Sequence, residues 1–93
     1  MTVVGAGLIG TGQAEYLDVV LQGGRTYSFT VRPSEPNVDF DLYIYDQNGN
    51  LVAWDETTAA DAHGTVTPIL TGPFRIVVKS AEGMATYQVE VLG

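Results

Sequence analysis

The chain contains no cysteine, one histidine and only four lysine or arginine residues. Without cysteine there are neither disulfide bonds nor thiolate metal sites, so packing must stabilise the fold. Eleven acids stand against four bases, and the formal net charge of −7 argues against nucleic acid as a partner because it repels phosphates. No segment approaches the run of about 20 apolar residues that spans a bilayer, so we expect no membrane partner.

The chain also lacks the length for two domains. Its 93 residues predict a single domain over residues 1–93, with one core that buries roughly 60–65% of the unfolded surface. The N-terminal apolar stretch has no lysine or arginine before it and is interrupted by glycines, which is not the pattern of a signal peptide.

Glycine is frequent near the N-terminus, where VVGAGLIG (3–10) matches the G-x-G-x-x-G pattern of dinucleotide-binding enzymes. That pattern binds a dinucleotide only where a helix follows and an acid about 20 residues later holds the ribose. No carboxylate lies between Asp18 and Glu35. We therefore expect a glycine-containing strand that binds no dinucleotide.

Two runs flank the glycine turn Gln22-Gly23-Gly24-Arg25: the first alternates at Leu17, Val19 and Leu21, and the second, TYSFTVR (26–32), alternates throughout. The first run also fits a helical stripe, so its periodicity alone does not decide its structure. The short turn and the second run predict that the two form a β-hairpin.

A second hairpin is predicted in DFDLYIYDQNGNLVAW (39–54), where a turn over residues 46–50 contains an Asn-Gly pair. Strand alternation directs Phe40, Leu42 and Ile44 toward the core. The residues directed to the opposite face are Asp39, Asp41, Tyr43 and Tyr45.

The remaining segments predict loops and further strands, five or six strands in all. Two prolines mark a loop over 33–37, and small polar residues predict another over 55–64. Pro68 restricts a strand over 65–70 to a sheet edge or a bulge. The last two strands bury Phe74, Ile76 and Val78, then Ala85, Tyr87, Val89 and Val91. With no convincing helix, the pattern predicts an all-β fold, an antiparallel sandwich or barrel.

Four segments resemble successive strands of the bacterial pre-peptidase C-terminal domain: LQGGRTYSFTV, DFDLYIYDQNGNLVA, TGPFRIVVKS and ATYQVEV. The most specific features are the D-x-D-L-Y run with its Asn-Gly turn and the Thr-Gly pair that precedes an aromatic residue. The resemblance spans residues 14–92. The collagen-binding domains of clostridial collagenases are related to this family.

The resemblance implies a jelly-roll-like β-sandwich of roughly eight strands that is appended to secreted bacterial peptidases and is not catalytic. Some relatives bind fibrous substrate and calcium. The segment TVVGAGLIG carries none of the acids that calcium-binding relatives have there. The implied location is extracellular, as part of a larger protein.

The sequence offers little for catalysis. A nucleophile needs a base within hydrogen-bond reach, and nothing in the sequence brings His63 to a serine. One histidine without cysteine cannot build a zinc site unless carboxylates substitute. We therefore expect His63 to be a solvated loop residue, and we expect no catalytic residue and no enzyme activity.

Carboxylates provide the candidate metal site. Asp39 and Asp41 lie on one strand face with Cα atoms about 6.5–7 Å apart, and Asp55, Glu56 or Asp61 could add a loop oxygen. Two interpretations stay open, namely a calcium site of Asp39, Asp41 and Asp61, or carboxylates that are solvated or paired with arginine. No other cofactor is expected.

Aromatic residues provide the candidate partner-binding site, which consists of Tyr43, Tyr45 and Trp54. Residues at i and i+2 of a strand share a face, and aromatic residues are enriched in binding surfaces. The alternative is that a neighbouring strand or the second sheet covers these rings.

Two functional hypotheses follow from these patterns. The first is a binding or accessory module of a secreted bacterial peptidase that contacts protein or polymeric substrate. The second is a structural or decoration protein of a larger assembly such as a virion, with neighbouring subunits as partners and the virion surface as its location.

Overall fold

The computed structural model describes residues 2–93, which form eight strands in two antiparallel sheets of four strands each. The predicted all-β antiparallel sandwich is confirmed. The described residues contain no helix, and thus none long and apolar enough to cross a membrane. The strands are β1 (Thr2–Ile9), β2 (Ala14–Leu21), β3 (Tyr27–Pro33), β4 (Asp39–Tyr45), β5 (Leu51–Asp55), β6 (Ala62–Val66), β7 (Gly72–Glu82) and β8 (Ala85–Leu92).

The strand order differs between the two sheets, which we call sheet A and sheet B. Sheet A has the order β1-β8-β3-β6, and sheet B has the order β2-β7-β4-β5. Successive strands change sheet at every connection except the one between β4 and β5. This connectivity places most sequence neighbours on opposite sides of the core.

The core lies between the sheets and is built from the inward-facing apolar residues of both. In β4, Phe40, Leu42 and Ile44 are completely buried, as alternation predicts. Val91, near the end of β8, is only half-buried. The other residues predicted to be buried in the last two strands are buried: Phe74, Ile76, Val78, Ala85, Tyr87 and Val89.

The first predicted hairpin is wrong, because β2 pairs with β7 whereas β3 pairs with β8 and β6. The turn over residues 22–25 does form, with Gly24 at a φ of +81°. Its amide, however, donates a hydrogen bond to the Pro68 carbonyl at 2.6 Å. Alternation shows which side chains face the core but not which strand lies alongside. Leu21 and Phe29 both face the core, but they do so from opposite sheets.

The second predicted hairpin is confirmed by the pairing of β4 with β5. Asp46 organises its turn, since its Oδ1 atom accepts hydrogen bonds from the amides of Asn48 and Asn50, both at 2.9 Å. These hydrogen bonds lower the pKa of Asp46. Gly49 has a φ of +80°, which glycine adopts without steric cost.

The predicted loop over residues 55–64 ends earlier than expected, because β6 already begins at Ala62. His63 is therefore a strand residue and not a loop residue, although its side chain is exposed. Pairing with β3 overrides the weak strand preference of this segment. The strand predicted over 65–70 ends at Val66, since Pro68 cannot donate to the ladder.

The glycine-containing N-terminal stretch forms most of β1, as expected, and a turn then leads into β2. A side chain at position 7 requires its neighbours to shift, because a Cβ atom there would overlap the Glu15 carboxylate and the Tyr87 ring. The Tyr87 hydroxyl donates a hydrogen bond to Glu15 Oε1 at 2.7 Å. That bond joins β8 of sheet A to β2 of sheet B.

Candidate functional site

The outer face of sheet B carries a line of side chains that crosses all four strands. Directly opposite residues of an antiparallel pair share a face. The register places Val77 opposite both Tyr16 and Tyr43, and Trp54 opposite Tyr43. We call these four residues the aromatic row, which is about 14 Å long because three strand spacings separate its ends. Tyr16 is 62% exposed and Trp54 57%.

Arg75 lies beside the aromatic row and is held between a ring and a carboxylate. It stands opposite both Tyr45 and Asp18. Its guanidinium donates to both oxygens of Asp18, at 2.9 and 3.1 Å, and lies 4.0 Å from the centroid of the Tyr16 ring. The hydrogen bonds lower the pKa of Asp18. This face therefore supports a combined cation–π and charge-assisted contact.

Tyr43 connects the aromatic row to the end of β5. Its hydroxyl donates a hydrogen bond to Glu56 Oε2 at 2.6 Å. This bond and the partial burial of the ring raise the pKa of Tyr43. Glu56 is the first residue after β5 and is exposed, so its carboxylate lies at the rim of the face.

The outer face of sheet A has a different composition. Over residues 2–93, no phenylalanine, tyrosine or tryptophan side chain is exposed on it, and its strands present polar residues such as Thr86 together with the exposed aliphatic residues Val3, Leu8 and Leu92. Its one arginine, Arg32, is paired with two acids, Glu90 and Asp61. The arginine of this face is therefore already paired with acids of the chain itself.

Asp39 and Asp41 lie on the outer side of β4, as predicted, but Asp41 is neither solvated nor paired with arginine. It is only 8% exposed, and buried Oδ1 atoms of both aspartates have no hydrogen-bond partner among the described residues. Burial raises the pKa of Asp41, and the neighbouring charges of Asp39 and Glu56 raise it further. Lys79, directly opposite, compensates only in part.

The structure does not bring Asp61 to this pair. The Asp61 carboxylate contacts Arg32 at 3.0 Å, on the other side of the sandwich. Within residues 2–93, no group of three His, Cys, Asp or Glu side chains is arranged to hold a metal ion. Among the described residues, the three carboxylates of the predicted calcium set, Asp39, Asp41 and Asp61, are therefore not brought together.

Asp55, another candidate ligand, has a structural role at the seam between the sheets. Its carboxylate accepts hydrogen bonds from the His63 amide at 2.9 Å and from the Thr57 hydroxyl at 2.7 Å. Burial opposes ionisation, but these hydrogen bonds prevail and lower the pKa of Asp55. The bond to His63 ties β5 of sheet B to β6 of sheet A.

His63 is placed next to a threonine. Its Nδ1 atom lies 3.1 Å from Thr30 Oγ1. Ser80 is buried, and its hydroxyl donates to the Gly83 carbonyl at 2.6 Å. In the described part of the chain no hydrogen bond joins His63 to a serine, so the structure presents no serine–histidine pair with nucleophile geometry.

The sequence patterns did not assign Tyr16 and Val77 to the candidate site. Tyr16 has the outward position of β2 because its neighbour Leu17 faces the core, so alternation could have shown that Tyr16 is exposed. Its place in the aromatic row depends on β7 lying between β2 and β4. That order joins strands far apart in the sequence, and no local pattern reveals it.

A second apolar surface, at one end of the sandwich, was also missed. Ile69 and Leu70 are 92% and 74% exposed and line a groove of about 420 Å³ with Val52 and Phe74. The sequence predicted a strand over 65–70, whereas Ile69 and Leu70 lie in the loop between β6 and β7.

Comparisons with known proteins show a sequence similarity to part of a larger protein. No protein-family model matches this chain. Over 46 residues it is 48% identical to pyrolysin of Pyrococcus furiosus. The matched stretch covers 50% of this chain and 3% of pyrolysin. The chain is thus similar to one short segment of pyrolysin.

Proposed function

We propose that the chain is a non-catalytic accessory module of a secreted peptidase, of the pre-peptidase C-terminal type. In this proposal the outer face of sheet B contacts protein or polymeric substrate. The observation that carries the proposal is the aromatic row, with Tyr45 beside it on the same face.

The aromatic row is not needed to fill the core. The inward side of β4 is already completed by Phe40, Leu42 and Ile44, all fully buried. Tyrosine and tryptophan offer large, rigid contact areas at low entropic cost, and each keeps a polar group that can hydrogen bond. A line of such residues on a sheet face suits contact with an extended partner.

The comparison with pyrolysin supports an association with a peptidase. Pyrolysin is a secreted peptidase, and the similarity covers only 3% of it. A short segment of a large peptidase fits an accessory module better than a complete catalytic unit, and an extracellular location agrees with it.

Retention on immobilised polymers tests the proposal. Collagen fibres, keratin and casein beads serve as protein polymers, and cellulose serves as a polysaccharide. We expect the chain to be retained on at least one protein polymer. Trp54→Ala should weaken retention about tenfold, the effect of losing an aromatic contact of about 1.4 kcal/mol. Gln88→Ala, on the outer face of sheet A, is the matched control and should leave retention unchanged.

Two results would contradict the proposal. One is the absence of retention on every polymer. The other is a loss of retention by Trp54→Ala that only follows a fall in melting temperature. Concentration-dependent self-association in sedimentation experiments, abolished by Trp54→Ala, would instead favour contact with neighbouring subunits.

A further inference from the structure

The two edge strands of sheet B carry the same pair of residue types at the same spacing. In β2, Tyr16 and Asp18 are two positions apart, and Arg75 lies between the ring and the carboxylate. At the opposite edge, Trp54 of β5 is followed two positions later by Glu56. Glu56 is the first residue after β5, and its carboxylate accepts a hydrogen bond from Tyr43, which stands directly opposite Trp54. Both edges therefore offer an aromatic ring with a carboxylate nearby.

Among the residues that the structure describes, the chain itself supplies a cation at the β2 edge but not at the β5 edge. Within residues 2–93, the ion pairs and cation–π contacts involve neither Trp54 nor Glu56. Trp54 is 57% exposed, so its ring is accessible to a partner. The bond from the Tyr43 hydroxyl holds the Glu56 carboxylate at Tyr43, the residue directly opposite Trp54.

The charges around the β5 edge favour a cationic partner. The charges of Asp39, Glu56 and Asp55 all act on Asp41 and raise its pKa, while Lys79 is the cation that faces Asp41. Asp41 is also buried with an oxygen that lacks a hydrogen-bond partner among the described residues, so its charge is incompletely compensated. The whole chain carries a formal charge of −7, which attracts basic partners.

We propose that Trp54 and Glu56 bind an arginine side chain of a partner polypeptide, with the guanidinium over the indole and paired to the carboxylate. The contact repeats at the β5 edge what Tyr16, Asp18 and Arg75 form at the β2 edge. Arginine fits better than lysine because its planar group stacks on a ring and still bonds a carboxylate. The inference rests on the proposed function and specifies the chemistry of the partner.

Fluorescence anisotropy with a labelled peptide tests the contact. The probe is an acetylated, amidated peptide of alternating glycine and arginine, and its control replaces each arginine with neutral citrulline of similar shape. We expect the arginine peptide to bind at least about tenfold more tightly. Glu56→Gln keeps an acceptor for Tyr43 and should weaken binding about fivefold. Trp54→Ala should weaken it to a similar degree.

Glu35→Gln is the matched control for net charge, because Glu35 is exposed in the loop between β3 and β4. It should change the affinity less than about twofold. Equal binding of the two peptides, or equal effects of Glu35→Gln and Glu56→Gln, would overturn the proposal, since either result means unspecific attraction. Melting temperatures of all variants show whether each remains folded.

The peptide and polymer experiments can fail separately. If a polymer retains the chain through Trp54 but the arginine peptide does not bind, the arginine contact is wrong and the proposed function stands. If the arginine peptide binds through Glu56 but no polymer retains the chain, the proposed function is wrong and the arginine contact stands.

Discussion

The two outer faces of the sandwich share one strand geometry but carry different side chains. Sheet A presents polar residues, a few exposed aliphatic side chains such as Leu8, and an arginine, Arg32, that is paired with two acids. Sheet B presents four aromatic side chains: Tyr16, Tyr43, Tyr45 and Trp54. Each sheet needs only its inward residues to complete the core. The aromatic residues on the outer face of sheet B are therefore not needed to fill the core, and we propose this face, rather than that of sheet A, as the binding surface.

The largest effect should come from the core beneath both faces. Leu42 is completely buried, so Leu42→Ala should lower the free energy of unfolding by about 2–5 kcal/mol through lost transfer energy and a cavity. Val89→Ala in sheet A should also destabilise, by less, since it removes fewer buried atoms. Urea unfolding measures both. A Leu42→Ala variant as stable as the wild type would show that β4 faces the opposite way.

The next effect concerns how sheet A is joined to sheet B. A methyl group at position 7 would displace the Glu15 carboxylate or the Tyr87 ring, so Gly7→Ala should cost about 1–3 kcal/mol of unfolding free energy. Ala6→Ser, at the exposed neighbouring position, is the control and should have little effect. Similar urea midpoints for both variants would contradict the close contact at Gly7.

The sequence predicts which side of a strand faces the core, but it does not predict which strands pair within a sheet. Alternation identified the inward side of β4 because one buried face imposes a period of two. It could not pair β2 with β7, since that pairing depends on contacts between distant segments. For the same reason it could not separate Asp61 from Asp41 or bring Tyr16 into line with Tyr43. Those placements depend on sheet topology.

A smaller effect concerns how stability depends on pH. It should have opposite signs for Asp41 and Asp55. Asp41 has a pKa above its usual 3.8 through burial and the charges of Asp39 and Glu56. The folded state therefore binds this proton more tightly, and ionised Asp41 reduces stability at neutral pH. Asp41→Asn should raise the melting temperature at pH 7. This gain should shrink as the pH falls through the folded pKa toward 3.8.

Asp55 provides the contrast, because its hydrogen bonds lower its pKa. The stability that it contributes is present above its ordinary pKa of 3.8 and is lost as the pH falls through its lower folded pKa. Asp55→Asn should therefore lower the melting temperature at pH 7, and the difference from wild type should diminish in acid. If Asp41→Asn and Asp55→Asn changed the melting temperature at pH 7 in the same direction, the opposite pKa shifts assigned to these two aspartates would be wrong.

Two double variants, one on each outer face, should separate an effect on binding from an effect on stability. One combines Tyr45→Ala with Trp54→Ala on sheet B, and the other combines Thr86→Ala with Gln88→Ala on sheet A. Urea unfolding and retention on the same protein polymer are measured for both. The account predicts that the sheet B variant loses at least about tenfold in retention while its unfolding free energy stays within about 1 kcal/mol of wild type. The sheet A variant should change neither quantity. Equal loss of retention by both variants, or a loss by the sheet B variant that only follows unfolding, would contradict the account.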